Sequence, residues 1–366
     1  MKIIDCEIFR YTLPLAQALE LAGELQRERE GFLIFIKGED HTTGVGEVAP
    51  LIGFSAERLQ DVQKQLFFLR DKVRGNAIPD DVESLTWRFE AWLRTWKLFP
   101  SVRCAFETAV LDLLARRQDV SLDRLINPAS TGQVPRAELL SQTTQKLLQK
   151  EVAQAVHAGC RSFKLKVGDP DIKADHQKVA WVLGALPPDG RLHLDANRRW
   201  RYGQAFNFVR EFEPQAIEYL EEPIDDPDAL DEFSRITKFP FALDETLREC
   251  SEEQLEGLDN LRMLVLKPML LGGWEKTMSW VRWAHDRGIR AAISSTFESS
   301  VGLLALAHLA CAVTPDEPAG LDTGKWYSQN LLLDPFEPEG KMIVPGPYAL
   351  EKSDLDFKLI RPVKDA

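Results

Sequence analysis

Residues 162–168, SFKLKVG, show the strict alternation of apolar and polar side chains that is typical of a β-strand. Lys164 and Lys166 are two residues apart and therefore project from the same face of that strand. That face lies either in solvent, as a lysine-bearing face usually does, or in an interior site where two ammonium groups crowd each other. The sequence around this strand has to decide between the two interpretations.

From about residue 134 onward, the sequence repeats one pattern of predicted elements. Short apolar segments alternate with amphipathic helical segments, which predicts βαβ units and a parallel sheet. Eight such strands fit a closed (β/α) barrel, with an open doubly wound sheet as the alternative. The predicted strands are AELLSQ, SFKLKV, RLHLDAN, AIEYLEE, FALDE, MLVLKP, RAAISST and GLDT.

The first hundred residues have a different organisation, with strands first and helices after them. The glycines and the proline of GVGEVAPLIGFS predict a loop, and Ser55 is a candidate N-cap for a helix over 56–69. A loop is also expected at Ala16–Arg29. Residues 101–117 predict a buried amphipathic helix. Strands are predicted at 3–12, at 31–37 and at 44–48.

Composition and charge exclude several classes of function. The net charge of −12 argues against binding to nucleic acid or to an anionic membrane surface. Five scattered cysteines without a CxxC motif argue against a disulfide framework or a zinc site and suit a reducing compartment. No secretory leader and no long apolar run is evident. We therefore expect a cytoplasmic protein that acts on a small molecule.

Charged residues end four consecutive predicted strands. They are Asp195 in LDAN, Glu221 in LEEP, Asp244 in LDE and Lys267 in LKP, at intervals of 26, 23 and 23 residues. Singly, each motif is more simply explained as a turn or a helix entry. In a parallel barrel, however, the carboxyl ends of all strands share one mouth. Three carboxylates that meet there need a cation, and oxygen ligands without His or Cys favour Mg²⁺.

The lysines complete this predicted site. Lys164 and Lys166 lie on the second strand and Lys267 on the sixth, so they face each other across the barrel with the carboxylates between them. A metal on a substrate carboxylate acidifies the neighbouring C–H, and a neutral lysine can then accept the proton. Neutrality requires a pKa below the ordinary value of about 10.4, and crowding by Lys164 and the metal would lower it.

Further candidates lie near the same mouth. In ISSTFESSVG, residues 293–302, serines and a glycine precede a helix, so backbone N–H groups there are a candidate site for a second substrate carboxylate. The candidate substrate contacts are Asn197, Gly273, Ser294 and Ser295.

The motifs KLK, LDAN, LEEP, LDE and LKP, in this order, resemble the enolase superfamily in its muconate-lactonizing enzyme subgroup over nearly the whole chain. The resemblance implies a (β/α)₇β TIM-like barrel at 101–334 with an N-terminal α+β capping domain at 1–100. The tail at 335–366 is expected to return to the cap.

The same resemblance assigns roles to individual residues. It implies Mg²⁺, with Mn²⁺ able to substitute, held by Asp195, Glu221 and Asp244. It makes Lys166 the acid/base and Lys267 its partner across the barrel. The crowding argument makes Lys164 a third catalytic lysine, which lowers the pKa of Lys166.

Further stretches, among them LDETLRE and ISSTFESSVGL, are similar to the subgroup's dehydratases of menaquinone and phylloquinone biosynthesis. They imply a lyase that carries out a Mg²⁺-dependent syn dehydration of 2-succinyl-6-hydroxy-2,4-cyclohexadiene-1-carboxylate, a dicarboxylate, to 2-succinylbenzoate. The alternatives are an N-succinylamino acid racemase or dipeptide epimerase of the same superfamily, and a non-catalytic barrel that binds an acidic metabolite. The sequence leaves the oligomeric state open.

Overall fold

The computed structural model describes residues 1–21, 23–338 and 340–364, without the side chains of residues 20, 86–88, 90, 93 and 94. Its two main parts are an antiparallel sheet near the N-terminus and a ring of parallel strands surrounded by helices. No helix within these described ranges is long and apolar enough to cross a membrane.

The antiparallel sheet is built on a long hairpin, and with the helices α1 and α2 it forms what we call the cap. A short strand near the C-terminus pairs with β1, which gives the strand order β13-β1-β2-β3. The helix α1 buries one face through residues at helical spacing, Val62, Leu66, Leu69 and Val73. The elements are β1 (Ile3–Leu21), β2 (Glu24–Gly38), β3 (Thr43–Val48), α1 (Leu59–Val73), α2 (Val82–Trp96) and β13 (Ile360–Pro362).

Three local predictions for this region are wrong. The loop expected at Ala16–Arg29 is the end of the β1–β2 hairpin, with a register shift between Pro14 and Leu19. The helix expected from residue 56 begins at Leu59, and the Ser55 hydroxyl accepts a hydrogen bond from the backbone of Leu51 instead of capping it. The segment GVGEV is the strand predicted at 44–48, so the loop expected from its glycines is wrong over these residues.

The glycines of β3 allow a helix to pack directly on the strand. This helix is α3 (Pro100–Arg117), and it lies so close that a Cβ on Gly46 would be 2.0 Å from the carbonyl oxygen of Ala105. A Cβ on Gly44 would be 1.9 Å from the carbonyl oxygen of Ala109. The glycines that suggested a loop therefore serve close packing between helix and strand.

Seven parallel strands follow, in the order β11-β10-β9-β8-β7-β6-β5. Each predicted strand from AELLSQ to RAAISST lies in this sheet. The strands are β5 (Ala137–Leu140), β6 (Ser162–Lys166), β7 (Arg191–Asp195), β8 (Tyr219–Glu221), β9 (Phe241–Leu243), β10 (Leu261–Leu266) and β11 (Arg290–Ile293). A separate two-stranded ribbon joins β4 (Val134–Pro135) to β12 (Met342–Ile343).

Helices surround these strands, except between β9 and β10, where the described chain forms two 3₁₀ turns, Glu245–Arg248 and Glu252–Leu255. The remaining helices are α4 (Leu122–Ile126), α5 (Gln145–His157), α6 (Ile172–Leu183), α7 (Tyr202–Val209), α8 (Leu230–Thr237), α9 (Pro268–Leu271), α10 (Trp274–His285) and α11 (Ser300–Val313).

The sheet closes into a ring through the segment just before LDT. Ala319 forms a parallel bridge to Arg136, beside β5, and Gly320 forms a parallel bridge to Ser294, beside β11. The eighth position is thus two bridging residues followed by a 3₁₀ turn, Asp322–Trp326, and not a full strand. This closure and the cap confirm the predicted TIM-like (β/α)₇β barrel with its capping layer, and the open sheet is wrong. The predicted boundaries at 100 and 334 stay a prediction.

The lysine-bearing face of β6 points into the ring. Phe163 and Leu165 belong to the main core between strands and helices. Inside the ring a separate apolar cluster fills the lower part of the barrel, formed by Tyr219, Ala242, Met263, Val265 and Ala292. His193 is buried there as well, between the hydroxyls of Ser162 and Tyr219. The two lysines of SFKLKVG therefore face the interior and not solvent.

Candidate active site

The predicted catalytic residues meet at the carboxyl ends of the barrel strands. The Lys164 Nζ lies 2.9 Å from Oδ2 of Asp195 and 2.7 Å from Oε2 of Glu221. Both carboxylates are almost completely buried, so the ammonium group is their main source of compensating charge.

On the other side of the ring, Lys267 forms an ion pair with Asp244. Lys166 is placed differently from the other two lysines, since within the described part of the chain its Nζ donates only to Oδ1 of Asn197, at 3.0 Å. Its side chain is exposed in the open mouth of the barrel, whereas Lys164 and Lys267 are largely covered. The three lysines therefore share one site and differ in their partners.

The two glutamates of LEEP, Glu221 and Glu222, point in different directions and make different contacts. Glu222 points outward from the ring, where it accepts hydrogen bonds from the backbone of Asp244 and Thr246, at 2.7 and 2.8 Å, and from the side chain of Arg198, at 2.9 Å. Its backbone has a φ of 44°, a strained left-handed conformation for a residue with a Cβ. Glu222 thus fixes the loops at the strand ends and leaves Glu221 facing the site.

Electrostatics separate the lysines further. Burial in the mouth, followed by the charges of Lys164 and Lys267, lowers the pKa of Lys166, against the opposing charge of Asp195. Burial also disfavours charge on Lys164 and Lys267, but their carboxylate partners outweigh it and raise both pKa values. Because Lys166 still reaches solvent in the mouth, its desolvation will be stronger when a bound molecule fills the site. Lys166 is therefore the lysine best able to lose and regain a proton.

The carboxylates suit a divalent cation by their chemistry. Burial, followed by the charge of Asp195, raises the pKa of Glu221 to about 8. The pKa of Asp195 is lowered to about 2 because three lysine charges outweigh its burial. A divalent cation among these hard oxygen donors would favour the ionised form of Glu221 and would compensate the buried negative charge of Asp195.

In the described conformation these carboxylates are paired with lysines. No three His, Cys, Asp or Glu side chains of the described residues stand close enough together to hold a metal ion as they are. The Lys164 ammonium group lies between two of the predicted ligands, in the place where a cation neutralises them. The ligand roles of Asp195, Glu221 and Asp244 remain a prediction.

The sequence reasoning missed Glu245, which follows Asp244. Its Oε1 accepts a hydrogen bond from Nδ2 of Asn197 at 3.0 Å, while its Oε2 is buried without a partner among the described residues. Burial, followed by the charge of Asp244, raises the pKa of Glu245 to about 7. The only signal in the sequence was its place next to a strand-end aspartate, which a turn explains equally well.

A cavity of about 380 Å³ opens above the lysines, between the barrel mouth and the cap. Lys166, Lys267 and Asn197 form its polar floor. Apolar walls come from both parts of the molecule, namely Leu19, Leu21, Leu51 and Phe54 of the cap and Leu139, Leu140, Phe297 and Trp326 of the barrel. A molecule with an anionic end and an apolar body fits this distribution.

The predicted substrate contacts are divided by this geometry. Asn197 and Ser295 lie in the cavity wall. The Ser294 hydroxyl donates to the carbonyl of Gly320 at 3.3 Å, outside that wall. Gly273 lies against Glu107, whose Oε2 would be 2.5 Å from an added Cβ. The substrate contacts predicted for Asn197, Ser295, Ser294 and Gly273 all remain predictions. The positions of Ser294 and Gly273 do not support such contacts.

The anion site predicted at the start of α11 is already filled by the protein itself. Glu47 of the cap accepts hydrogen bonds from the backbone N–H groups of Ser299, at 2.9 Å, and Gly302, at 2.7 Å. Backbone N–H groups here do bind a carboxylate, as their position at a helix N-terminus favours. That carboxylate belongs to β3, so the N–H groups of Ser299 and Gly302 are occupied, and a substrate site elsewhere in residues 293–302 stays a prediction.

Two families match the chain. Residues 147–347 match the enolase C-terminal domain-like family, and residues 3–109 match the N-terminal domain of MenC. Together the two matches extend over both the cap and the barrel.

Individual relatives agree with these families. The o-succinylbenzoate synthase of Aliivibrio salmonicida is 34% identical, over 89% of this chain and 92% of that protein. The o-succinylbenzoate synthase of Vibrio cholerae is 33% identical, over 86% of this chain and 88% of that protein.

One solved structure is the dipeptide epimerase of Enterococcus faecalis with Mg and the dipeptide L-Leu-L-Tyr. It superimposes with a TM-score of 0.83 over 95% of this chain and 98% of that one, at 22% identity. This likeness supports the shared fold.

Proposed function

We propose a function from one premise: the chain belongs to the o-succinylbenzoate synthase family of the enolase superfamily. Its proposed reaction is the syn dehydration of 2-succinyl-6-hydroxy-2,4-cyclohexadiene-1-carboxylate to 2-succinylbenzoate, a step of menaquinone or phylloquinone biosynthesis. The observation that carries this proposal is the contrast between the lysines of one mouth. Lys166 has a lowered pKa and an open position, whereas Lys164 and Lys267 are paired with carboxylates.

In this reaction Lys166 acts first as a base and then as an acid. The neutral amine removes the proton from the ring carbon that bears the carboxylate. The resulting ammonium group gives that proton to the hydroxyl on the adjacent carbon while the C–O bond breaks, so that the hydroxyl leaves as water. The electron pair of the broken C–H bond enters the new aromatic ring. One lysine serves both steps, so proton and hydroxyl leave from the same face.

Lys267 acts from the opposite side of the ring of strands. Its ion pair with Asp244 keeps it cationic, so it can stabilise negative charge on the substrate without taking a proton. Asn197 receives the Lys166 hydrogen bond at 3.0 Å and so orients the amine toward the cavity.

Asp195, Glu221 and Asp244 are the residues that would hold Mg²⁺. A magnesium ion there would draw negative charge from a substrate carboxylate and make the neighbouring C–H more acidic. Relatives of the same fold have been solved with magnesium, which supports the assignment. Substitution by Mn²⁺ stays a prediction, as does the cytoplasmic location, with which five unpaired cysteines agree.

A second candidate function is racemisation or epimerisation of an N-succinylamino acid or a dipeptide. It is favoured by the placement of Lys166 and Lys267 on opposite sides of the cavity floor, since proton exchange between two faces needs two such groups. N-succinylamino acids offered in D₂O would then gain deuterium at the α carbon. Dehydration without that exchange would exclude this activity.

The test of the proposed function is an assay of water elimination. The purified protein with Mg²⁺ should convert the cyclohexadiene acid to 2-succinylbenzoate, which is followed by the absorbance of the aromatic ring. Excess EDTA should stop the reaction, and added Mg²⁺ should restore it. If no product forms with Mg²⁺ present, the proposed reaction is wrong. Undiminished turnover in EDTA would remove the metal from the mechanism.

A further inference from the structure

We infer that Arg199 binds the second carboxylate of the substrate, the one at the end of its succinyl chain. The inference rests on the proposed function for the identity of the ligand. The first carboxylate belongs beside Lys166 and the predicted metal ligands, which leaves the distal carboxylate in need of a cation of its own. Arg199 follows β7 in the same loop as Asn197, and both residues line the cavity with Lys166.

Arg199 differs from its neighbour Arg198 in having no side-chain partner among the described residues. The Arg198 guanidinium donates to Glu222 at 2.9 Å, to Glu249 at 2.8 Å and to Thr246 at 2.8 Å. Arg199 is exposed, and its guanidinium makes no hydrogen bond or ion pair with any residue that the structure describes. An arginine with all five donors free at the wall of an anion-binding cavity is suited to bind a carboxylate through two parallel hydrogen bonds.

The aliphatic part of the Arg199 side chain is held in place, although its guanidinium has no partner among the described residues. Gly168, two residues after Lys166, has a φ of 105°, and a Cβ at this position would lie 2.9 Å from Cβ and 3.0 Å from Cδ of Arg199. The arginine stem therefore packs on Gly168, beside the strand end that carries the proposed base. Because only glycine leaves room there, this contact limits the directions that the guanidinium can take.

Other charged groups on this wall already have partners. The buried Asp175 accepts hydrogen bonds from the backbone of Gly168 and Asp169, at 2.8 and 2.7 Å, and from Lys178 at 2.9 Å. The Asp169 carboxylate accepts from the backbone of Asp171 at 2.9 Å. Lys178 is thus neutralised by Asp175, and among the residues that the structure describes on this wall Arg199 is the cation left for a ligand.

The substitution Arg199→Gln tests the inference. The KM for the cyclohexadiene dicarboxylate should rise about 10- to 100-fold, as expected when a charge-assisted hydrogen bond is lost. The kcat should change little, because the distal carboxylate is bound equally in the ground state and the transition state. Arg199→Lys should restore part of the affinity, since it keeps the charge but not the planar pair of donors. Lys173→Gln, an exposed charge change on α6, is the control.

A substrate whose distal carboxylate is converted to a methyl ester tests the contact between Arg199 and that carboxylate directly. The wild-type protein should lose affinity for this ester, and Arg199→Gln should lose no more, so that the two changes are not additive. Titration with 2-succinylbenzoate measures the same contact by calorimetry without turnover. If wild-type and Arg199→Gln bind 2-succinylbenzoate equally, the inference is wrong even when dehydration is observed. If no dehydration is observed but wild-type and Arg199→Gln differ tenfold in their affinity for 2-succinylbenzoate, only the proposed reaction is overturned.

Discussion

Lys166 is distinguished from the other lysines of the site by what it lacks. Lys164 neutralises two buried carboxylates and Lys267 neutralises one, whereas Lys166 donates to a neutral amide. Two nearby ammonium groups repel it. At the scale of single residues, the structure therefore separates groups that maintain the charge balance of the site from one that is free to exchange a proton.

This separation predicts the effect of Lys166→Ala. Turnover of the cyclohexadiene acid should fall by about 10³-fold or more, the range expected for loss of a general acid/base. The free energy of unfolding should change little, because the lost hydrogen bond to Asn197 and the lost attraction to Asp195 are offset by the relief of repulsion from two cations. Steady-state kinetics and urea unfolding measure the two effects, with Lys173→Ala as a fully active control. Activity within tenfold of wild type would show that another group is the base.

The lowered pKa of Lys166 also sets a pH dependence. The base must be neutral, so kcat/KM should increase with pH and level off above the pKa of Lys166 in the free enzyme. Because burial and the two neighbouring lysines lower that pKa, the midpoint should lie below the ordinary lysine value of about 10.4. A profile of kcat/KM from pH 5 to 11 measures it, with circular dichroism at each pH as the control for folding. A midpoint at or above 10.4 contradicts the assignment.

At the scale of elements, the contact between β3 and α3 fixes the cap against the barrel side. Gly46→Ala would place a Cβ 2.0 Å from the backbone oxygen of Ala105, which cannot rotate away. We expect a loss of about 1–3 kcal/mol or more in the free energy of unfolding, as for other overpacked sites. The control is Gly203→Ala in α7, where an added Cβ meets nothing within 4 Å. Equal stability of the two variants in urea would refute this account of the β3 glycines.

The strands of the barrel and of the cap show where prediction from the sequence succeeds and where it fails. Alternation identified the barrel strands, and the polar residue at each strand end identified Asp195, Glu221, Asp244 and Lys267, because strand direction alone determines where these side chains meet. Gly44 and Gly46 fell both in a predicted strand, 44–48, and in a predicted loop, because a glycine needed for close packing and one needed for a turn look alike in sequence. The hairpin end at Ala16–Arg29 lacks strict alternation, so its pairing became visible only in the fold.

At the scale of the whole molecule, the site depends on residues that are distant in the sequence. Arg29 of the hairpin donates to the carbonyls of Ala49 and Pro50, at 2.6 and 2.5 Å, and to that of Phe297, at 3.2 Å. Phe297 has a φ of 59° and lines the cavity. No local pattern predicts such contacts between cap and barrel, because both partners are chosen by the tertiary arrangement. The floor of the site was therefore predictable, and its apolar walls were not.

Glu47 of the cap also contacts the barrel, where it accepts three hydrogen bonds from Ser299 and Gly302. Its two oxygens accept from the Tyr11 hydroxyl at 2.5 Å, from the backbone and hydroxyl of Ser299 at 2.9 and 2.6 Å, and from the backbone of Gly302 at 2.7 Å. In Glu47→Gln the new NH₂ group would face donors that need an acceptor. Because the site is buried, the unsatisfied groups should lower the free energy of unfolding by about 2–4 kcal/mol.

The same substitution should weaken substrate binding. The start of α11 follows Phe297 by three residues, so loss of the Glu47 contacts loosens one wall of the cavity. The KM should rise while the pH midpoint of kcat/KM stays unchanged, since Lys166 and its neighbours are untouched. Urea unfolding and steady-state kinetics measure both effects, with the exposed Glu211→Gln as the control for loss of one negative charge. If Glu47→Gln matches that control in stability, the carboxylate does not hold the cap to the barrel, and the coupling between cap and cavity wall must lie in other contacts, such as that of Arg29 with Phe297.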